Sequence, residues 1–283
     1  MTTGRIGQVQ FGRVVEVTFG PKGGGAGRTY RDLAMKAEIE KNDGKKPNPG
    51  KVTIWGLNQE SVDVLRGDNV QITVRAGYVT SGQTPPKLFS GDVDDVTQGG
   101  LMPGEDLSVE IEARDGGSVW DSAMFSEAIT QQTTNKRVIE RVAESMGVGV
   151  TFAPGVPEIT YATGFYTHGM GRVALDKVTR SAGLDWTLQD DQLVVTPSGQ
   201  PGSGEIFLID SGQVLDIKPY EKGKGRQKKK GWEVKVYLNP LIKPKTQVQL
   251  DTRAVKGTFK VKSAKTSVAT WDDDFFMDLT LGV

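Results

Sequence analysis

Hydrolysis by a Ser-His-Asp arrangement would have to use His168, because it is the only histidine in the chain. His168 lies in the glycine-rich segment 164–171, which we predict to be a loop. The sequence contains neither a Gly-x-Ser-x-Gly elbow nor a His-Glu-x-x-His motif. One histidine and no cysteine also exclude a site built from several histidines or cysteines. We therefore predict no catalytic residue and no metal ligand, and interpret His168 as a loop residue.

Neighbouring acids are the second group that could do chemistry, since glycoside hydrolysis needs two carboxylates across a cleft. The candidates are Asp94-Asp95, Asp190-Asp191 and Asp272–Asp274. Adjacent residues of a strand point to opposite faces, so side-by-side acids are poorly placed to share a substrate. The last two groups have the character of turns, and Asp272–Asp274 lacks the remaining ligand spacing of a calcium loop. We interpret all three as solvated acids.

The lysine among the glycines of segment 20–27 could suggest phosphate binding. The segment lacks the Gly-Lys-Ser/Thr ending of a phosphate loop, and no helical pattern follows it. A hairpin loop is the better interpretation.

The strongest local charge feature is segment 218–231, which has seven basic residues and one acid. The basic residues are Lys218, Lys222, Lys224, Arg226, Lys228, Lys229 and Lys230. Three interpretations are open: a solvated hairpin loop, a segment that docks on an acidic face of a neighbouring chain, or the lining of a channel through which DNA passes.

The overall composition favours none of the chemically specialised classes. The chain has 283 residues, with 35 basic and 35 acidic side chains, which argues against a dedicated nucleic-acid binder. It has no cysteine and therefore no disulfide. We find no signal region and no apolar run of membrane-spanning length, so we expect synthesis in the cytoplasm and no membrane insertion. The 36 glycines are typical of a β-rich fold with many turns.

Alternating apolar residues predict strands through the first 115 residues. Segment 51–78 is the clearest part, because a strand, one capped helical turn and a second strand follow in order. Asn58 can cap the turn, Val62 and Leu65 form its inner face, and Gly67 can end it.

The periodicity then changes to that of helices. Thr134 can cap a helix that stops at Gly147, and a second helix with Leu175 and Val178 inward stops at Gly183. A strand hairpin through Asp190-Asp191 follows. We predict a small α+β insert at 116–198 and a linker at 199–204. Alternation returns in 205–283, which we predict to be a second β-domain.

The order of these segments resembles the baseplate hub proteins of contractile-tailed phages. The resemblance is carried by segment 51–78, by the helix–strand–hairpin of 174–197, and by Val236–Pro244, Val248–Leu250 and Gly257–Val261 near the end. One departure is Lys245, where we expect glycine after the proline; another is Ala264–Ser267, where many relatives carry a histidine and a Gly-Asp pair.

The resemblance implies a mainly β fold in which two tail-tube-like β-barrels, at 1–115 and 205–283, flank the small α+β insert. It also implies a structural virion protein of the tail baseplate, with no cofactor, that forms a homotrimeric ring. Such a ring would adapt the sixfold tail tube to the threefold central spike. The implied partners are the tail tube protein and the central spike protein, with the tape measure protein and other baseplate proteins as further candidates; DNA would be present only in transit.

Two alternatives remain open. A cell-wall-degrading tail enzyme would clear peptidoglycan in zymography. A hub or spike component of a type VI secretion system, or the tip of a non-contractile tail, would share the shape and differ in its gene neighbours.

Overall fold

The computed structural model describes residues 12–23, 27–78, 83–100, 106–202, 205–222 and 229–282. The chain divides into two compact units. The first unit comprises residues 1–43, 48–115 and 205–283; the second comprises 44–47 and 116–204. None of the described helices is long and apolar enough to cross a membrane.

The first unit consists of strands and one short helix. Its first part contains β1 (Arg13–Pro21), β2 (Arg28–Tyr30), β3 (Met35–Asn42), β4 (Pro49–Trp55), α1 (Gln59–Leu65), β5 (Val70–Tyr78), β6 (Lys87–Gly99) and β7 (Ser108–Arg114).

The second unit contains the other three helices. In chain order it comprises α2 (Gly117–Ser122), β8 (Met124–Ile129), β9 (Thr133–Thr134), α3 (Asn135–Met146), β10 (Gly149–Phe152), β11 (Thr160–Tyr161), β12 (Phe165–Met170), α4 (Gly171–Ser181), β13 (Leu184–Gln189) and β14 (Gln192–Pro197).

The chain then returns to the first unit. The returning part contains β15 (Ile206–Asp210), β16 (Val214–Lys222), β17 (Lys229–Tyr237), β18 (Gln247–Asp251), β19 (Lys256–Ala269) and β20 (Phe275–Gly282). The mainly β fold predicted from the sequence is confirmed.

Hydrogen bonds join the strands of the first unit into one sheet. Its order is β16-β17-β20-β19-β3-β4-β7-β6-β5-β1-β2, and β18 pairs with both β19 and β15. The two parts of the chain meet at β3 and β19, which are antiparallel from Asn42 opposite Ser263 to Lys36 opposite Ala269. The described strands form an open path, so the division into two separate barrels stays a prediction.

The order of pairing occurs twice in this sheet. The first part reads β3-β4-β7-β6-β5-β1, and the second reads β16-β17-β20-β19-β18-β15 in the same relative chain order. The long strands β6 and β19 occupy the same place in both, and each has a bulge where its partners change, at Val93/Asp95 and at Val261/Ser263. One difference is direction: β1 is antiparallel to β5, whereas β15 is parallel to β18.

The repeat extends to the turn after the second strand of each part. The Asn58 side-chain oxygen accepts a hydrogen bond from Ser61 N at 2.9 Å, and that of Asn239 accepts one from Leu241 N at 3.2 Å. In the first part this turn becomes α1, with Val62 and Leu65 buried as predicted. In the second part it stays a turn and leads to Lys245, whose φ of +69° is left-handed. That conformation favours glycine, the residue that the resemblance leads us to expect at this position.

Phe89 lies fully buried in the core of the first unit, between two strand glycines. A Cβ added to Gly50 would lie 2.8 Å from the Phe89 ring, and one added to Gly91 would lie 2.6 Å from it. The glycines are therefore needed because the ring packs directly on the backbone of β4 and β6.

The second unit packs α3 and α4 with a three-stranded sheet of order β10-β14-β13. The Thr134 hydroxyl accepts a hydrogen bond from Arg137 N at 3.3 Å, so the predicted cap of α3 is confirmed. Gly147 ends that helix with a φ of +69°. Asp190 and Asp191 have φ values of +53° and +64° and connect β13 to β14, which confirms the predicted hairpin.

Asp176 on α4 holds a small polar cluster within the second unit. One of its oxygens accepts hydrogen bonds from Lys45 Nζ at 2.5 Å and from Trp186 Nε1 at 3.0 Å. Burial alone would raise the pKa of Asp176, but the bonds from Lys45 and Trp186 outweigh it, so the pKa lies below its ordinary value.

The lowered pKa of Asp176 predicts a pH-dependent contribution to stability. The folded state binds the proton less tightly than the unfolded state, so the contribution is fully present above the ordinary pKa of 3.8 and is lost as the pH falls through the lower folded value. We expect Asp176→Asn to cost about 1 kcal/mol or less at pH 7, because the pair is partly exposed. Urea unfolding at pH 7 and pH 3 measures the free energy of unfolding of variant and parent. The difference between the two proteins should be smaller at pH 3 than at pH 7. An unchanged difference would contradict the assignment.

Candidate assembly interface

Several strand edges of the first unit have no partner among the described strands, and those of β6 and β16 are two of them. Beyond Asp92, β6 pairs with β7 on one side only, because β5 ends its pairing there. At the end of the sheet, β16 pairs with β17 alone. Unpaired N–H and C=O groups on such edges are ready to pair with another strand.

The pairing repeat shows that these two edges correspond to each other. The place of β6 is taken in the second part by β19, and the place of β3 by β16. Within the chain, the edge of β19 beyond its bulge is filled by β3. We call this strand pairing a joint. The joint is closed within the chain as β19·β3, whereas the two corresponding strands, β6 and β16, are both unpaired on that side.

Acids concentrate at the open edge of β6. The Asp94 carboxylate forms two hydrogen bonds with Arg114, at 2.5 and 2.9 Å, and Asp92 binds Lys22 at 2.7 Å. Asp95 lies directly opposite Glu112 of β7. Within the described residues, neither Asp95 nor Glu112 forms a salt bridge.

The expectation that Asp94 and Asp95 point to opposite faces is wrong. Asp94 binds Arg114 and Asp95 lies opposite Glu112, two residues on the same face of β7, because the bulge at Val93/Asp95 inserts a residue and breaks the strict alternation of the strand.

The predicted basic segment spans the end of the β16–β17 hairpin. Lys218 binds Asp216 at 2.7 Å; this bond raises the pKa of Lys218 and lowers that of Asp216. Lys230 lies 3.9 Å from Glu221. Lys222 and Lys229 occupy opposite positions at the strand ends, and Lys224, Arg226 and Lys228 lie outside the described residues. The role of the segment stays a prediction.

His168 lies on a strand, so the predicted loop is wrong. Phe165 and Thr167 are buried and Tyr166 and His168 are exposed, an alternation that the glycines of the segment obscured. His168 Nδ1 lies 2.7 Å from the hydroxyl oxygen of Ser126 on β8, a partner that sequence reasoning missed. In the described part of the chain no carboxylate contacts His168, so the orienting acid of a triad is missing there.

The remaining acids contribute to turns and surface pairs. Asp272 accepts a hydrogen bond from Asp273 N at 2.7 Å, and Asp274 binds Lys36 at 2.8 Å, which raises the pKa of that lysine. A cleft of about 500 Å³ lies over β3, β4 and β7, lined by charges of both signs such as Glu38, Lys51 and Lys265. The described residues contain no group of three side chains suited to holding a metal.

Comparison with known proteins gives a result at the level of structure. No family model and no curated protein matches the sequence. A tail protein from Neisseria meningitidis MC58 matches with a TM-score of 0.63 and 14% identity, covering 96% of each chain. The fold is that of phage tail proteins.

Two further structures of the same fold support this result. A 43 kDa tail protein of prophage MuSo2 from Shewanella oneidensis has a TM-score of 0.60 and 13% identity, covering 95% of this chain and 96% of the other. A component of the E. coli type VI secretion system, described as structurally similar to T4 bacteriophage tail proteins, has a TM-score of 0.58 and 10% identity, covering 94% and 76%. The tail-protein fold confirms the resemblance drawn from the sequence at the level of fold.

Proposed function

We propose that this chain is a structural subunit of a phage tail baseplate, and that three copies close a ring between a sixfold tail tube and a threefold spike. The tail-protein fold supports the structural role. The pairing order that occurs twice in the first unit supports the ring, because three chains with two similar halves present six similar units.

The observation that carries this proposal is the closed joint β19·β3 within the chain. If β6 of one copy accepts β16 of the next, every joint around the ring repeats β19·β3. Such a contact is heterologous, since different surfaces meet, and it closes only when the rotation returns to the first copy. The open edges of β6 and β16 would then be satisfied.

The closed joint also predicts the register between copies. In the first part, the residues paired with Asp95 across the sheet are in turn Glu112, Lys51 and Glu38. In the second part, those paired with Ser263 are in turn Thr280, Glu233 and Lys218. Asp95 therefore corresponds to Ser263, and Glu38 corresponds to Lys218. Asn42 lies four residues after Glu38, and Lys222 lies four residues after Lys218, so these two positions also correspond. Because Ser263 faces Asn42 in the closed joint, Asp95 should face Lys222 of the next copy, and Thr97 should face Tyr220.

Pro219 interrupts this ladder at one position. It would face Gln98 without an N–H to donate, although its carbonyl can still accept. A proline on an open edge limits indiscriminate pairing of the free chain.

A cysteine pair tests the ring directly, because the natural chain has no cysteine. Asp43 N donates to Lys262 O and Thr270 N donates to Met35 O, so Glu40 and Lys265 between them form a non-hydrogen-bonded pair. Thr97 and Tyr220 are their counterparts, at a separation that suits a disulfide. We expect Thr97→Cys/Tyr220→Cys, oxidised mildly, to give linked dimers and trimers on a denaturing gel.

The matched control is Glu40→Cys/Lys265→Cys, which should form a disulfide within one chain and no linked oligomer. Ladders that extend to six copies would reject the trimer, and absence of linked chains would reject the edge pairing. Electron microscopy of the native particle would then show whether the chain forms a threefold ring.

The proposed partners are the tail tube protein and the central spike protein on the two sides of the ring, together with the tape measure protein and other baseplate proteins, in the virion. DNA would be present only in transit. The match to a type VI secretion component favours a second candidate, the hub of a related injection machine. The two differ in the particle from which the native protein is isolated.

A further inference from the structure

We infer that Trp55 and Trp271 form a docking surface for the threefold spike protein, and that the spike segment bound there carries Lys or Arg beside aliphatic side chains. This inference rests on the proposed ring, because it assigns one face of that ring to one partner. The two tryptophans lie at the ends of strands β4 and β19. Pairing of β6 with β16 along their edges would leave this surface uncovered.

The two tryptophan rings pack against each other at the surface of the first unit. They meet edge to face, with their centres 4.6 Å apart, and Trp271 is 52% exposed. Trp55 N donates to Ala34 O at 2.9 Å. On the other side of β3, Thr270 N donates to Met35 O at 3.0 Å, which anchors the turn that carries Trp271. The pair is therefore a fixed, exposed aromatic surface, the kind of residue that dominates binding energy at protein interfaces.

The charges around the pair identify the chemistry of its partner. Asp272 and Asp273 follow Trp271 and are exposed, and in the described part of the chain neither forms a salt bridge. Lys36, at this end of β3, is already bound to Asp274 at 2.8 Å. A positively charged segment would be attracted to these acids, and a Lys or Arg side chain can also lie over an exposed tryptophan face.

The tryptophan pair occurs once in the chain, although the strand order occurs twice. Because Lys51 corresponds to Glu233, Trp55 corresponds to Tyr237, four residues further along. Among the described rings, Tyr237 forms no such pair. A ring of three copies would therefore carry the pair at alternate positions of six. A threefold partner can occupy all three pairs equivalently, whereas a sixfold tube would meet the pair at every second subunit only.

A photoreactive residue tests this contact in the native particle. p-Benzoylphenylalanine in place of Asp273 should cross-link to the spike protein, through a peptide that contains Lys or Arg. The matched control carries the same residue in place of Ala254, an exposed alanine in the turn at the opposite end of β19, and should not reach the spike. Mass spectrometry identifies the linked peptides, and electron microscopy of the particle identifies the spike as its threefold component.

Substitutions measure the contribution of the rings and of the charges. We expect Trp55→Ala/Trp271→Ala to lower the fraction of rings that retain the spike about tenfold, because both aromatic anchors are lost. Asp272→Lys/Asp273→Lys should lower it about tenfold at low salt, and by less at about 0.5 M salt. The control, Glu158→Lys/Glu205→Lys, reverses two exposed acids that form no salt bridge in the described structure and should behave like the parent.

The inference is overturned if the photoreactive residue at position 273 links to the tube protein, to another copy of this chain or to nothing. It is also overturned if the tryptophan and aspartate variants retain the spike as the control does. In those cases, linking of the Thr97→Cys/Tyr220→Cys pair would leave the ring standing. If that cysteine pair does not link, the ring fails, and the assignment of this surface to one face of the ring fails with it.

Discussion

Replacing Phe89 with alanine is expected to lower the free energy of unfolding of the first unit by about 3–5 kcal/mol. The ring is fully buried and lies against the backbones of Gly50 and Gly91, so its removal leaves a cavity that neither glycine can fill. Urea unfolding followed by circular dichroism measures the loss. A change below about 1 kcal/mol would contradict this packing.

The two glycines provide a matched pair of controls. The three nearest atoms to a Cβ on Gly50 all belong to the Phe89 ring, whereas a Cβ on Gly91 also lies 2.9 Å from the carbonyl carbon of Arg114. Gly50→Ala should therefore destabilise the parent and lose most of that effect in the Phe89→Ala background. Gly91→Ala should stay destabilising in the parent and in the Phe89→Ala background, because the carbonyl carbon of Arg114 stays in place when Phe89 is replaced. If Phe89→Ala reduced the effects of Gly50→Ala and Gly91→Ala equally, the contact between Gly91 and the backbone of Arg114 would be contradicted.

Replacing Trp186 with alanine should cost the second unit a similar amount, about 3–5 kcal/mol. Its side chain is 1% exposed, its ring centre lies 5.8 Å from that of Trp120, and its Nε1 donates to Asp176. The substitution removes the ring from the core and leaves Asp176 with one donor fewer. Thermal unfolding followed by near-ultraviolet circular dichroism measures the loss.

Trp186→Phe separates the two contributions. It keeps most of the ring and removes the N–H, so we expect a cost of about 1–2 kcal/mol. Combined with Asp176→Ala, the effect of Trp186→Phe should shrink, because the acceptor is gone as well. Additive costs would show that the bond to Asp176 contributes nothing measurable.

Local patterns in the sequence were enough to predict the main elements. Alternation placed Val52 and Ile54 in a strand, and the caps at Asn58 and Thr134 located the starts of α1 and α3. These predictions succeed because strand faces and helix caps depend on residues only a few positions apart. The order of the elements was also enough to suggest a tail-protein fold.

The resemblance implied two similar β-domains, but the strand order that they share, the pairing repeat, was not predicted. Its sequence trace is short: Leu57-Asn58 with Val70–Ile72 in the first part, and Leu238-Asn239 with Val248–Leu250 in the second. Strand pairing depends on contacts far apart in the chain, and the alternation of a strand does not identify its neighbour.

His168 was assigned to a loop because the glycines around it hid the alternation of β12. The bulge that exposes both Asp94 and Asp95 was missed for a related reason, since a one-residue insertion in a ladder is defined only by the partner strand.

The sequence by itself determined which segments are strands and helices, where the basic residues cluster, and that the chain has one histidine and no cysteine. Only the tertiary structure decided which strands pair, and so which edges stay open and which carboxylates lie side by side. The physical reason is that alternation and capping are set by neighbours in the chain, whereas an edge is open or closed according to backbone hydrogen bonds between residues such as Asn42 and Ser263, more than 200 positions apart.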